Sequence, residues 1–211
     1  MTHINNAINK EVQDTLTGDS VLKDLLNGNA RFVGNNANTV DTKALVNQTV
    51  GGQYPKAVVL SCIDSRVPVE MVFDQTIGDI FVARVAGNFE NTDILGSMEY
   101  SCKVAGSKLV FVLGHESCGA VKAACDHVEL GNITALLDNI QPAVKKSEGE
   151  VSGDHNSSNT EFVNQTIKNN VLLTISRIRE KSPILKEMED NGEIKIVGGV
   201  YHLSDGKVSL Y

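Results

Sequence analysis

The sequence predicts an α/β protein, with a mainly parallel β-sheet flanked by helices and an antiparallel strand at its C-terminal edge. Short apolar, β-branched runs alternate three times with segments of helical period, the pattern of strand–helix–strand crossovers. Those runs (Ala57–Leu60, Ile80–Val85, Leu109–Leu113) are largely apolar without polar alternation, as expected of strands covered on both faces. Near the end, EIKIVGGVYHL and KVSLY flank Ser204-Asp205-Gly206, a hairpin signal.

Taken in order, residues 1–19 are polar and weakly periodic and read as an arm that frays or packs on a partner. Val21, Leu22, Leu25, Leu26 and Phe32 fall at helical spacing, with Asp19 or Ser20 as N-cap. An Asn-rich connection and a short helix over Thr42–Gln48 follow. Gly51-Gly52 turns the chain into the first strand, at about 56–61. Pro68 suits the first turn of a short helix, PVEMVFDQ, because it lacks the amide hydrogen that position cannot use. Gly78-Asp79 leads into the second strand, IFVARV. Asn91-Thr92-Asp93 caps a helix carrying Ile94, Leu95, Met98, Tyr100 and Cys102, closed by Gly106.

The third strand, KLVFVLG, ends at His115-Glu116-Ser117-Cys118-Gly119, where another helix opens. The pattern then predicts a helix over Thr134–Lys146 and a polar loop over Ser147–Asn159. A long helix follows, with Ile167, Val171, Leu172, Ile175 and Ile178 on one side. Pro183 breaks it, and Ser182-Pro183 caps and opens its successor. Neither an internal repeat nor a second domain is visible. The chain reads as one domain overall, an N-terminal helical arm over 1–50 and an α/β catalytic portion over 51–211.

At 211 residues, 41% of them hydrophobic and 21% charged, the composition is that of a globular protein with a substantial core. A net charge of −7 with no basic block argues against nucleic acid as a partner. No apolar run approaches the roughly 18 residues a membrane span needs. The N-terminal segment lacks the cationic start and apolar core of a signal peptide, so a cytoplasmic location is expected. Four cysteines are too few for a disulfide scaffold at this length. In a reducing compartment they are metal ligands, catalytic thiols or buried small residues.

Two strand ends carry the chemistry: Cys62-x-Asp64-Ser65-Arg66 after the first, and His115-x-x-Cys118 after the third. Parallel sheets bind ligands at the carboxyl ends of their strands. Brought together there, two thiolates and an imidazole form a Cys2His set, one that suits catalytic zinc with a fourth position open to water or substrate. The helix N-terminus beside Cys118 favours its thiolate. Asp64 can orient a zinc-bound hydroxide, or become a fourth ligand itself and close the site. Arg66 is placed to pair with Asp64 and hold it off the metal. Zinc hydroxide formed near neutral pH attacks a small electrophile.

Blander readings fit the remaining candidates. Cys102 and Cys125 sit within helices and read as packing residues. Cys125 lies about 10 Å along its helix from Cys118, too far to share a metal. His3, His127 and His155 read as solvated, and His202 as a structural or surface residue of the terminal hairpin. Asp64-Arg66 alone could be a surface ion pair, a reading that weakens when all five residues fall at two strand ends.

C-x-D-S-R followed about fifty residues later by H-x-x-C-G strongly resembles the β-class carbonic anhydrases. Gln53-Tyr-Pro-Lys, Gly78-Asp79-Ile80-Phe81, Arg84-x-Ala86-Gly87-Asn88, Glu99-Tyr100 and the terminal GGVYHLSDGKV also match family patterns, so the likeness runs from Gln53 to the C-terminus. It implies the β-carbonic anhydrase fold and one Zn2+ per subunit, held by Cys62, His115 and Cys118, with Asp64 and Arg66 as the catalytic dyad. It also implies a carbon dioxide pocket lined by Gln53, Phe81, Ala86 and Tyr100, partly across a dimer interface. The N-terminal helices would embrace a second subunit, giving a homodimer or homotetramer. The activity implied is reversible hydration of carbon dioxide to bicarbonate and a proton, that of a carbonate dehydratase.

Two departures from the family pattern stand out. Val85 replaces the usual Asn of R-N-A-G-N, which bears on local hydrogen bonding. Val59 stands where one subgroup has a Trp that helps form an inhibitory bicarbonate pocket, so weak or absent bicarbonate regulation is implied. Hydrolysis of carbon disulfide or carbonyl sulfide is the alternative on the same zinc site. Phosphatase-like or sulfurtransferase-like thiol chemistry would want a five-residue loop between Cys and Arg, whereas Cys62 and Arg66 bracket three. A non-catalytic, zinc-stabilised assembly protein predicts a permanently closed fourth ligand.

Overall fold

The structure is a computed structural model that describes residues 3–4 and 6–211, excluding the side chain of His3, whose expected solvation therefore lies outside the described residues. Two short strands, β1 (His3–Ile4) and β2 (Thr39–Val40), pair in parallel apart from the main sheet. The main sheet comprises β3 (Ala57–Ser61), β4 (Ile80–Arg84), β5 (Leu109–His115), β6 (Lys195–Tyr201) and β7 (Val208–Leu210). Their order is β4-β3-β5-β6-β7, parallel except for β7, which runs antiparallel to β6 as the hairpin predicts. Every residue of β3 and β5 is buried, which explains why their sequences do not alternate.

Helices cover both faces. On one, Ala57, Val59, Leu109, Phe111 and Leu113 pack under α2 (Gly18–Val33) and α4 (Val69–Val72), with Phe73 and Phe111 tilted at 5.4 Å between ring centres. On the other, Val58, Leu60, Val110, Val112 and Ile196 pack under α5 (Thr92–Glu99), α9 (Thr160–Lys181) and α10 (Pro183–Asp190). A Cβ at Gly198 would stand 2.5 Å from Val171, so this glycine lets α9 lie close on β6. A third cluster at the carboxyl end of the sheet joins Cys62 and Cys118 to α6 (Gly119–Cys125), α7 (Gly131–Asp138), α8 (Gln141–Glu148) and α9.

Several boundaries differ from the sequence expectation. The cap of α2 is Thr17, not Asp19 or Ser20, because Thr17 and Ser20 form a reciprocal capping box. Pro68 is the N-cap of α4, in extended backbone, and that helix stops well short of Gln75. The helix expected over Thr134–Lys146 is two, α7 and α8, with Pro142 in the opening turn of α8 where its missing amide hydrogen costs nothing. Tyr100–Val104 leaves α5 as one π-helical turn.

The described part of the arm packs on its own chain. In α1 (Lys10–Asp14) buried Gln13 donates to the carbonyls of Pro55 and Ala105, both at 2.8 Å. Helix α3 (Thr42–Thr49), capped by Asp41, buries Leu45 fully.

The chain leaves β3 to form β4 on one side, then crosses back to form β5 on the other. The order therefore reverses between β3 and β5, and a crevice opens beyond their carboxyl ends.

Candidate metal centre

Both predicted motifs meet at that crevice. Ser61 pairs with Leu113, so Cys62 leaves β3 level with the residues that end β5 at His115. One turn later, Ser117 takes a left-handed backbone (φ +53) and Cys118 caps α6, which brings its thiol back over the strand ends. The Cys62, His115 and Cys118 donor atoms all lie within 4.8 Å of one another. All three residues are buried, His115 completely.

The donor set fits a soft, tetrahedral dication. His115 Nδ1–H donates to the Glu116 carbonyl at 2.9 Å, which leaves the lone pair of Nε2 toward the thiols. Nε2 is buried and has no hydrogen-bond partner among the described residues, a costly arrangement for a nitrogen that nothing ligates. The two sulfurs stand 3.9 Å apart and share a hydrogen bond, and the Gly87 amide donates to Cys62 Sγ at 3.4 Å. The bond with Cys118, helped by the Gly87 amide, lowers the Cys62 pKa against the opposing effect of burial. The same bond and burial raise that of Cys118. Amides of Ala120 and Val121 do favour the Cys118 thiolate, as the helix N-terminus predicts, but they are outweighed. Cys62 is the readier thiolate.

Asp64 and Arg66 form a fork. Arg66 Nε donates to Oδ1 at 2.9 Å and Nη2 to Oδ2 at 2.7 Å, while the Arg66 amide also donates to Oδ1 at 2.9 Å. The Arg66 bonds hold the Asp64 carboxyl down at about 2, so it is an acceptor only. Its Oδ2 stands 3.9 Å from His115 Nε2, at the border of the donor set.

The expected pocket residues divide differently. Ala86 is half-buried in the loop whose next residue, Gly87, touches Cys62. Phe81 and Tyr100 contact each other (6.2 Å between ring centres) and line a groove of about 710 Å³ with Val58, Thr92 and Ile94. That groove runs along β4, the strand at the open edge of the sheet. Gln53 is exposed and precedes β3, at the opposite end of that strand from Cys62, about 17 Å of strand away. One chain alone does not bring Gln53 to the donors.

Two groups near the site carry more than their sequence suggested. Arg84 binds the motif backbone, Nε donating to the Cys62 carbonyl at 2.8 Å and Nη2 to that of Asp64 at 2.7 Å. A lone cation ending an otherwise apolar strand was the available signal. His202, read from sequence as structural or surface, bonds Glu116 at 2.7 Å beside the donor set. Cys102 and Cys125 are buried away from the site, while His127 is exposed and His155 stacks on Phe162 at 5.0 Å.

The family model for carbonic anhydrase matches residues 57–208. The chain is 34% identical over 197 residues to a carbonic anhydrase of Mycolicibacterium smegmatis, covering 89% of this chain and 90% of that one. It is 35% identical, with the same coverage, to carbonic anhydrase 2 of Mycobacterium tuberculosis. Among solved structures it is similar to the β-carbonic anhydrase CafA of Aspergillus fumigatus, with a TM-score of 0.70 at 23% identity over 92% of this chain and 89% of that one. It is also similar to a tetrameric β-carbonic anhydrase of Sordaria macrospora, with a TM-score of 0.68 at 22% identity over 90% and 96%. Kinship in sequence along nearly the whole chain and a shared fold agree, and this protein belongs to the β-class carbonic anhydrase family.

Proposed function

We propose that this chain catalyses the reversible hydration of carbon dioxide to bicarbonate and a proton, at one zinc ion held by Cys62, His115 and Cys118. The observation that carries this is the buried His115 Nε2, without a hydrogen-bond partner among the described residues, facing two cysteine sulfurs with an ionised carboxylate at their border. A zinc ion held there would supply the Lewis acidity that makes an oxygen nucleophile available near neutral pH, chemistry for which carbonic anhydrases with other ligand sets are a reference case.

The chain's own residues do the rest. Cys62 and Cys118 would balance the charge of a dication, and His115 would supply the third protein ligand. Asp64 accepts a hydrogen bond from the attacking water and fixes the direction of its lone pair. Arg66 occupies both carboxylate oxygens, which keeps Asp64 from serving as a fourth ligand. Arg84 holds the Cys62 and Asp64 carbonyls in place, and so the spacing of ligand and acceptor. The released proton passes to buffer.

Gln53, Phe81 and Tyr100 reach a carbon dioxide pocket when a second copy of the chain covers the β4 edge, with arm 1–50 across the interface. The exposure of Tyr100 (55%), in the helical turn that walls the groove along the open β4 edge, supports a dimer as the minimum assembly.

The test is stopped-flow hydration with zinc content measured on the same sample. Cys62→Ala should lose stoichiometric zinc and hydration together; a variant keeping both would sink the ligand assignment. Carbon disulfide and carbonyl sulfide, run alongside, decide whether a sulfur analogue is the faster substrate.

A further inference from the structure

His115 can present Nε2 to a metal only while its other nitrogen is held, and the group that holds it is the main-chain carbonyl of Glu116. That peptide is followed by Ser117 in a left-handed conformation, so it sits at a point of backbone strain. Three bonds to the terminal hairpin restrain it. The Glu116 amide donates to the Tyr201 carbonyl at 3.1 Å, extending the β5–β6 pairing past His115. The carboxylate accepts from the Leu203 amide at 3.0 Å through Oε2, and Oε1 bonds His202 Nδ1 at 2.7 Å. His202 is steadied in turn by Ser209 of β7, whose hydroxyl lies 3.0 Å from Nε2.

We propose that Glu116 is a positioning residue of the metal centre: its carboxylate, clamped on the C-terminal hairpin, fixes the carbonyl that sets the tautomer and direction of His115. This rests on the assignment of His115 as a zinc ligand. The hairpin is thereby part of the metal site, although none of its residues reaches the donors. Its turn is anchored separately by Asn29, which donates to the Gly206 carbonyl at 2.8 Å and accepts from the Val208 amide at 2.9 Å. That second anchor makes a control possible.

Zinc affinity of the full chain is measured by chelator competition, with melting temperature recorded for each variant. Glu116→Ala should weaken zinc about 10-fold, the low end of the range for partners that bond a ligand directly, because the carboxylate acts one step removed, through the carbonyl that the alanine keeps. Glu116→Gln, which can still accept from Leu203 and donate to His202, should restore affinity to within about threefold of wild type, less than one hydrogen bond's worth. His202→Ala, more remote and serving if Glu116→Ala fails to fold, should weaken zinc up to about tenfold. Asn29→Ala should lower the melting temperature and leave zinc affinity unchanged.

Wild-type affinity in both Glu116→Ala and His202→Ala would overturn the proposal. So would an equal zinc loss in Asn29→Ala, which would mean any loosening of the hairpin suffices. A wild-type chain that takes no zinc would remove the ligand assignment and the proposal with it, a result distinct from either.

Discussion

Asp64 and Asp79 stand at opposite ends of the same parallel strands, and their surroundings push them in opposite directions. Asp64, just past the carboxyl end of β3, is held at about 2 by the Arg66 fork. Asp79, just before β4, is 8% exposed, and burial raises its pKa against the pull of Lys56. The carboxyl end of the sheet keeps a charge available beside three buried donors. The amino end spends a carboxylate on a turn, where Asp79 accepts from the Thr76 amide at 2.8 Å. Chemistry gathers at one end because helix starts, strand ends and a topological switch coincide there.

Removing the charge at the carboxyl end gives the largest effect of the comparison. Asp64→Asn removes the charge and turns one of the two acceptor oxygens into a donor that opposes Arg66, so the fork loses a bond, the remaining oxygen is a weaker acceptor, and kcat/KM for hydration should fall about 10²–10⁴-fold. Zinc content should stay near one per chain, because Asp64 is not among the three donors. Hydration at the wild-type rate would refute the acceptor role. Loss of zinc would instead make Asp64 a ligand.

A smaller effect is expected midway, on the open edge. Tyr100→Ala removes the exposed ring of the groove from the proposed interface, where one aromatic contact with a second copy would contribute about 0.5–1.5 kcal/mol. Association of copies, followed by sedimentation equilibrium, should weaken about 2–12-fold with zinc content unchanged. An assembly indifferent to Tyr100 would detach this groove from the interface.

What the sequence disclosed follows the same division. Cys62, His115 and Cys118 were legible because ligand type and spacing at strand ends are local facts, and burial of β3 and β5 was legible in their unbroken apolar runs. Less visible was whatever depends on distant partners. Glu116 and His202 are 86 positions apart and meet only because β6 lies beside β5. The Thr17 cap was hidden because Asp19 and Ser20 are equally good capping types, and reciprocity with Ser20 decides between them. Pro142 was readable as a helix opener, yet the apolar period on either side of it masked the break between α7 and α8. Gln53 stands at the other end of its strand from the donors, a separation that no local spacing in the sequence announces.

The smallest effect belongs to the amino end. Asp79→Asn keeps an oxygen to accept from Thr76, so the turn should survive and both zinc and hydration should be unaffected. Stability should change with pH in a definite sense. The folded pKa lies above the ordinary 3.8, so the folded state holds this proton more tightly than the unfolded chain does. The stability this confers is fully present below about 3.8 and is lost as pH rises through the folded pKa, beyond which the buried charge is a constant cost. Asn carries no such cost. Urea unfolding of the two proteins from pH 4 to pH 8 should therefore show the variant gaining on wild type as pH rises, then a plateau. A difference that ran the other way would mean that Lys56, not burial, governs Asp79, and the contrast between the two aspartates would disappear.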